Sequence, residues 1–153
     1  MISAQAFHWV APEVRFAQAA AALDPSGALA IIGNASVFER SPLREALDRV
    51  YALYAPALCG PSPTLWYTEQ GPIPRLFAKS RDFGPVRSRR YPRSQSLETA
   101  DYLDLLRTQS DHLVLPFERR ESLLGAVRET IEMHGGRIEV RYDAHLYVAS
   151  RQG

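Results

Sequence analysis

The sequence has 153 residues, 46% of them hydrophobic, and 18 basic side chains against 17 acidic ones. This length suits one domain with a single core, and the balanced charge gives no electrostatic case for binding nucleic acid or an anionic membrane. Because Cys59 is the only cysteine and the four histidines are far apart, we expect no internal disulfide and no metal site. The sequence lacks a signal peptide and any apolar run of spanning length, which predicts a cytoplasmic protein.

The first 34 residues predict a strand, a helix and a second strand. ISAQAF (2–7) has the composition of a short buried strand, and PEVRFAQAAAAL (12–23) is apolar around most of a helix that begins at Pro12. The turn DPSG (24–27) leads to ALAIIGN (28–34), a continuous apolar run typical of a strand covered on both faces. This order is that of a βαβ unit, and the predicted fold class is therefore α/β.

Residues 35–85 differ in character, and we interpret them as a variable segment that contributes a lid or a substrate-binding loop. Ser41 and Pro42 mark the start of a helix, and prolines become frequent after Tyr54. PVRSRRY (85–91) predicts a strand with polar faces, near an edge of the sheet. Its arginines are interpreted as part of a solvated strand edge.

Two helices and a strand are predicted for the remainder of the chain. The helices are ETADYLDLLRT (98–108) and PFERRESLLGAVRETIEMH (116–134), each with one apolar face. Gly135 follows the second helix, where a left-handed C-terminal cap is expected. RIEVRYDAHLYVASR (137–151) then alternates apolar and polar residues as a half-buried strand does.

Three motifs, QAFHW, LDPSG and LRTQSDH, resemble those of class I S-adenosylmethionine-dependent methyltransferases of the type 11 and trans-aconitate groups. The resemblance covers nearly the whole chain except 35–85. It implies a single domain over residues 1–153 with a partial Rossmann-like sheet, whose strands are equivalent to strands 4, 5, 6 and 7 of the family, and flanking helices. The family's glycine-rich cofactor turn, G-x-G-x-G, does not occur in this sequence. The chain thus resembles the C-terminal half of such an enzyme.

The same resemblance implies a set of site residues. S-adenosylmethionine is the expected cofactor, with Ala4 and Gln5 beside its methionine end. His8 and His112 are the candidate catalytic bases, because histidine titrates near neutral pH. The expected substrate-binding residues are Gln5, His8, Trp9, Asn34, Arg90, Tyr91, Thr108, Ser110 and His112.

Two hypotheses about function stay open. In the first, the chain is a truncated methyltransferase-family protein that acts on a small-molecule acceptor once a complementing chain supplies the missing strands. In the second, it is an inactive remnant that acts as an interaction or dimerisation module. Because an unpaired strand edge templates pairing, residues 2–7 are the predicted interface with a second copy or with a complementing N-terminal chain. A third interpretation, a start codon further upstream, would restore the whole enzyme.

Overall fold

The computed structural model describes residues 1–60 and 63–152, so residues 61 and 62 of the predicted variable segment lie outside the described part. The strands are β1 (Ile2–Ala4), β2 (Ala28–Val37), β3 (Arg87–Glu98) and β4 (Arg137–Ser150), and they form one sheet in the order β1-β2-β4-β3. The α-helices of the described residues are α1 (Arg15–Ala21), α2 (Pro42–Tyr54), α3 (Ile73–Lys79), α4 (Thr99–Arg107), α5 (Ser110–Leu113) and α6 (Phe117–Met133). Short 3-10 helices cover Phe7–Trp9, Pro56–Leu58 and Pro63–Tyr67. No helix among the described residues has the length and hydropathy to cross a membrane.

The sheet confirms the predicted α/β class with flanking helices. β1 pairs in parallel with β2, with Ile2 opposite Ala30 and Ala4 opposite Ile32, and α1 lies between them in the chain, so the βαβ unit is confirmed. β4 runs antiparallel to β2, because the N–H of Arg151, just after β4, donates to the carbonyl of Gly27, just before β2. An antiparallel bridge joins Phe83, which precedes β3, to Arg151, which directly follows β4. β3 and β4 are therefore antiparallel as well.

The chain divides into two compact units, which we describe separately. Unit 1 comprises the described residues within 1–36, 62–93 and 142–153, and unit 2 those within 37–61 and 94–141. β3 and β4 each contribute residues to both units.

The core of unit 1 is built around β2. Leu29, Ile31 and Ala35 alternate along one face of the strand and are at most 2% exposed, as the two-residue period of a strand requires. Leu29 and Ile31 pack with side chains from the helices and from the end of β4 into a cluster of Phe7, Ala19, Ala20, Leu29, Ile31, Tyr67, Ile73, Phe77, Phe83, Tyr147 and Ala149.

The core of unit 2 is a helical cluster. The hydroxyl of Ser41 accepts a hydrogen bond from the backbone N–H of Arg44 at 3.1 Å, which caps α2 where the sequence predicted its start. The apolar stripe of α6 is also confirmed, since Leu124, Val127 and Ile131 are at most 2% exposed. Gly135 has φ = 101°, the predicted left-handed cap. The buried members of this cluster are Leu47, Ala55, Leu103, Leu106, Leu123, Leu124, Val127 and Ile131.

The first strand differs from its prediction in length and burial. β1 ends at Ala4 rather than at residue 7, because Gln5 adopts φ = 50° and turns the chain out of the extended conformation. The prediction of a buried strand is wrong, since Ile2 is 71% exposed. β1 has a neighbour on one side only and lies at the edge of the described sheet.

The first helix and the third strand also differ from their predicted bounds. α1 begins at Arg15 rather than at Pro12, and Arg15 is buried while Val14 is 39% exposed. β3 is an edge strand, as predicted, but extends from residue 87 to residue 98 instead of ending at 91. Almost all of its residues are exposed, so its length comes from backbone pairing and leaves no hydrophobic pattern in the sequence.

Candidate functional site

Gln5 directly follows the parallel strand β1, and Asn34 lies three residues before the last residue of β2, toward the carboxyl ends where open α/β sheets bind their ligands. The backbone N–H of Gln5 donates to the carbonyl of Ile32 at 2.9 Å, and its side-chain amide donates to the carbonyl of Asn34 at 3.4 Å. A left-handed φ is unfavourable for glutamine, and such strain concentrates at functional sites. These contacts make this end of unit 1 the candidate site.

A histidine–tyrosine pair lies beside these strand ends. Nδ1 of His8 and the phenolic oxygen of Tyr67 are 2.6 Å apart, a short hydrogen bond. The His8 ring also lies 4.7 Å from the Trp9 ring and 6.0 Å from the Trp66 ring, centroid to centroid. The pair can therefore share a proton in a hydrogen bond that lies beside the rings of Trp9 and Trp66.

Tyr67 is fixed from two sides. Its ring covers Gly33 of β2 so closely that a Cβ atom on Gly33 would lie 2.0 Å from ring carbon Cγ. The hydroxyl of Tyr147 on β4 donates to the backbone carbonyl of Tyr67 at 3.0 Å. Because Tyr67 is only 1% exposed, the position of its phenolic oxygen is determined by the core of unit 1.

Arg15 brings a positive charge into the same cluster. The residue is 6% exposed, and its guanidinium carbon lies 5.5 Å from the centroid of Trp66 and 5.8 Å from that of Phe7. Its Nε is buried and has no hydrogen-bond partner among the described residues. A buried arginine usually has a carboxylate partner, yet no ion pair involves Arg15 in the described part of the chain.

Burial and this charge shift the titration of both partners in the pair. Burial, with a further contribution from Arg15, lowers the pKa of His8 from 6.5. Burial raises the pKa of the Tyr67 phenol, although Arg15 acts in the opposite direction. Both groups are consequently neutral at pH 7.

Four other predicted residues of unit 1 are exposed. Trp9 is 77% exposed. Arg90 forms an ion pair with Asp143 at 3.2 Å. Tyr91 is 43% exposed and lies under the guanidinium of Arg89, with 5.0 Å between the guanidinium carbon and the ring centroid. Ala4 is the exposed last residue of β1.

The remaining predicted residues, Thr108, Ser110 and His112, belong to unit 2. The Thr108 hydroxyl donates to the carbonyl of Leu105 at 2.7 Å, and Ser110 is the exposed first residue of α5. Both ring nitrogens of the buried His112 are engaged: Nδ1 lies 2.7 Å from Asp111 Oδ1, and Nε2 lies 2.8 Å from the phenolic oxygen of Tyr51. Burial, followed by the charge effects of Tyr102 and Asp111, raises the pKa of Tyr51, whose protonated phenol therefore donates to His112.

No sequence pattern indicates a site role for Arg15, Trp66 or Tyr67. Arg15 is the one basic residue of the segment PEVRFAQAAAAL, whose other residues are mostly apolar, so the pattern does not single it out. The WY pair at residues 66 and 67 falls in the proline-rich segment, for which the sequence offers no motif. The one usable signal was the aromatic pair itself, because adjacent large aromatics in a loop often cover a core.

Comparison with solved structures identifies similar folds. The chain is similar to a protein of Anaeromyxobacter dehalogenans that is provisionally described as a type II methyltransferase, with 15% identity and a TM-score of 0.59 over 97% of this chain. This chain spans 63% of the length of that protein. A protein of Bacillus halodurans, provisionally described as a methyltransferase, is 12% identical, with a TM-score of 0.45 over 99% of this chain and 68% of its own. No protein-family model and no curated protein matches the sequence.

Proposed function

We propose that this chain takes part in S-adenosylmethionine-dependent methyl transfer to a small-molecule acceptor, and that the candidate site of unit 1 binds the acceptor. The observation that carries the proposal is the hydrogen-bonded pair of His8 and Tyr67 beside the strained Gln5, at the carboxyl ends of two parallel strands. The methyltransferase-like fold supports it.

The residues of the site suit a positioning role. The cofactor of such enzymes supplies an electrophilic methyl carbon, and holding two reactants together can contribute about 7–11 kcal/mol to lowering the barrier. Gln5 and Asn34 offer amide groups at the open end of the site, and Trp9 offers an exposed ring. Because the pKa of His8 is lowered, its neutral ring is available at pH 7 to hold a proton from the acceptor.

Three glycines of unit 1 do not offer the turn that the cofactor's adenosine and ribose require. Such a site needs a glycine turn that exposes its backbone between a strand and a helix. Gly33 is covered by Tyr67, and Gly27 and Gly71 are packed against the backbone of their own turns, where an added Cβ would lie 2.9 Å and 2.4 Å, respectively, from a carbonyl oxygen. We therefore derive no step through the cofactor, and we propose that a further polypeptide supplies its glycine-rich turn.

A fusion protein tests this proposal. A methyltransferase segment that carries a glycine-rich turn is joined before Met1, and S-adenosylhomocysteine is titrated into the fusion and into the unfused chain. We expect a micromolar dissociation constant, about −8 kcal/mol, for the fusion and no measurable binding for the unfused chain.

The proposal fails if the fusion is folded by circular dichroism and monodisperse but binds no S-adenosylhomocysteine. Micromolar binding by the unfused chain would equally contradict the proposal, because it would show that no glycine-rich turn from a further polypeptide is needed. A fusion in which the glycines of the added turn are replaced by alanine is the matched control, and it is expected to lose binding.

The exposed β1 edge favours a second candidate function. Met1 O accepts from Ala30 N at 3.0 Å and Gln5 N donates to Ile32 O at 2.9 Å, so the odd residues of β1 face β2. Alternate residues of a strand face opposite sides, which leaves the N–H and C=O of Ile2 and Ala4 directed away from β2. We propose that a homodimer or a complementing chain pairs with this edge.

Two proline variants separate edge pairing from damage to the sheet. Ala4→Pro removes an outward N–H and keeps the bonds to β2, whereas Ser3→Pro removes an inward one. Sedimentation equilibrium of the wild type is expected to give a dimer, and Ala4→Pro a monomer with little change in stability. Ser3→Pro should lower stability instead. A wild-type monomer, or a dimer unchanged by Ala4→Pro, contradicts pairing between copies at this edge.

A further inference from the structure

Arg15 is an unusual cation for a protein interior. It is 6% exposed and its Nε is buried without an acceptor among the described residues. Arg120 is the instructive comparison, because its Nε also lacks a hydrogen-bond partner in that part of the chain but lies 3.5 Å from a carboxylate oxygen of Glu121. Arg15 has the rings of Phe7 and Trp66 as neighbours where Arg120 has a carboxylate.

The rings do not replace an anion. A cation–π contact recovers about 0.5–2 kcal/mol, whereas a buried charge without a counter-ion carries a penalty of several kcal/mol. His8, the neighbouring titratable group, is kept neutral and therefore adds no second positive charge beside Arg15. The site therefore holds a net positive charge in a low-dielectric surrounding, which strengthens its attraction for an anion.

We infer that Arg15 recognises a carboxylate of a ligand bound at the carboxyl ends of β1 and β2, with the free Nε–H as one of two parallel donors. A guanidinium edge matches the two oxygens of a carboxylate, and such bidentate pairs are about twice as strong as neutral hydrogen bonds. The inference rests on the proposed function only for the ligand's role as methyl acceptor, and carboxylate binding itself does not depend on it.

The approach of a carboxylate requires one ring to move. Phe7 is 3% exposed and belongs to the core cluster. Trp66 is half-buried and packs against that cluster from the short 3-10 helix Pro63–Tyr67. We therefore assign Trp66 as the cover that moves aside, and its indole N–H as the reporter of binding.

The experiment is a titration of the full chain with sodium propionate, followed by the ¹H–¹⁵N signals of the Trp66 indole and of Arg15 Nε, with sodium chloride at equal ionic strength as the control. The signals are assigned with Trp9→Phe and Arg15→Met. We expect both signals to shift in a saturable way with a dissociation constant of about 1 mM. Arg15→Lys should bind at least about tenfold more weakly, because it lacks the fork of donors.

Arg89→Met is the matched control, since Arg89 also lies over an aromatic ring but on an exposed strand. It should bind propionate as the wild type does, and Arg15→Met should not bind it. Absence of a saturable shift, or an equal shift in Arg15→Met, overturns the inference. If Arg15→Met fails to give a dispersed spectrum, unchanged affinity in Arg15→Lys overturns it instead.

A second titration identifies the source of the carboxylate. Methionine carries the amino-acid end of the cofactor, and propionate carries a carboxylate alone. Equal binding of both supports an acceptor carboxylate, while binding of methionine at least about tenfold more tightly supports the cofactor's carboxylate. Neither titration needs S-adenosylmethionine, so a failure here is distinguishable from a failure of the fusion to bind S-adenosylhomocysteine.

Discussion

Nδ1 of His8 and the phenolic oxygen of Tyr67 are 2.6 Å apart and join two 3-10 helices of unit 1 that are separated by more than fifty residues. The pair consists of neutral groups, because burial lowers the pKa of His8 from 6.5 and raises that of Tyr67. Because the folded state keeps His8 neutral, the stability of the protein should depend on pH.

Acidification should destabilise the protein through His8. Below 6.5 the unfolded state takes up a proton that the folded state resists, so the free energy of unfolding falls as the pH decreases from about 7 to about 5.5. His145 contributes with the same sign, since burial also lowers its pKa. Urea unfolding of His8→Gln across this range should show a smaller decrease than the wild type, and His8→Gln/His145→Gln a smaller one still. An identical pH dependence in all three proteins would contradict the prediction.

The sequence predicts the helices of unit 2 well, whereas it carries no signal for the burial of Arg15 in unit 1. α6 has a strong 3.6-residue stripe, and the glycines after it need a left-handed conformation, so local chemistry alone indicates where the helix ends. Arg15 is different, because its burial depends on Phe7 and Trp66, which come from other parts of the chain. No local pattern contains that information.

The same distinction explains the strands. β2 is apolar along most of its length and was predicted from residue 28. β3 is polar and exposed, and its last seven residues pair only because β4 is present beside it. β1 was predicted too long because the φ of Gln5 is not a preference of glutamine and is imposed by its contacts at the end of β2.

Gly33→Ala should be strongly destabilising. The new Cβ would lie 2.0 Å from the ring of Tyr67, a residue that is 1% exposed and held through its own backbone carbonyl by Tyr147. We expect a loss of at least about 3 kcal/mol in the free energy of unfolding. Gly125→Ala is the matched control, because it lies within α6 with nothing within 4 Å of the added atom, and it should raise stability by about 0.5–1 kcal/mol. Similar losses in both variants would contradict the close packing of Tyr67 on β2.

Gln5→Gly should stabilise the protein. A left-handed φ costs an L-residue about 1–2 kcal/mol, and glycine's greater unfolded-state entropy offsets part of the gain, leaving about 0.5–1 kcal/mol. Gln18→Gly places the same substitution within α1, where it should lower stability by about 1 kcal/mol. Chemical denaturation of the two variants should give opposite signs, and a loss in both would show that the conformation of Gln5 is not strained.

Tyr51→Phe tests the hydrogen-bond chain of unit 2. It removes the donor to His112 Nε2, and a buried ring nitrogen left without a partner costs about 1–3 kcal/mol. Tyr54→Phe on the same helix removes a hydroxyl that has no hydrogen bond within the described ranges, so its effect should stay within about 0.5 kcal/mol. Equal thermal unfolding midpoints for the two variants would contradict a structural role for the Tyr51 phenol.

The ion pair of Arg90 with Asp143 has a topological consequence. The chain passes from unit 1 into unit 2 after residue 93 and returns at residue 142, so this contact places its exit and re-entry near each other in unit 1. Residues 94–141 thus have the geometry of an insertion with adjoining ends, which a host domain tolerates at a small entropic cost of loop closure. In engineering terms, any insert exchanged at these points would have to keep the apolar faces of α4 and α6 that pack with Leu47 of α2, because unit 2 is built from both segments of the chain.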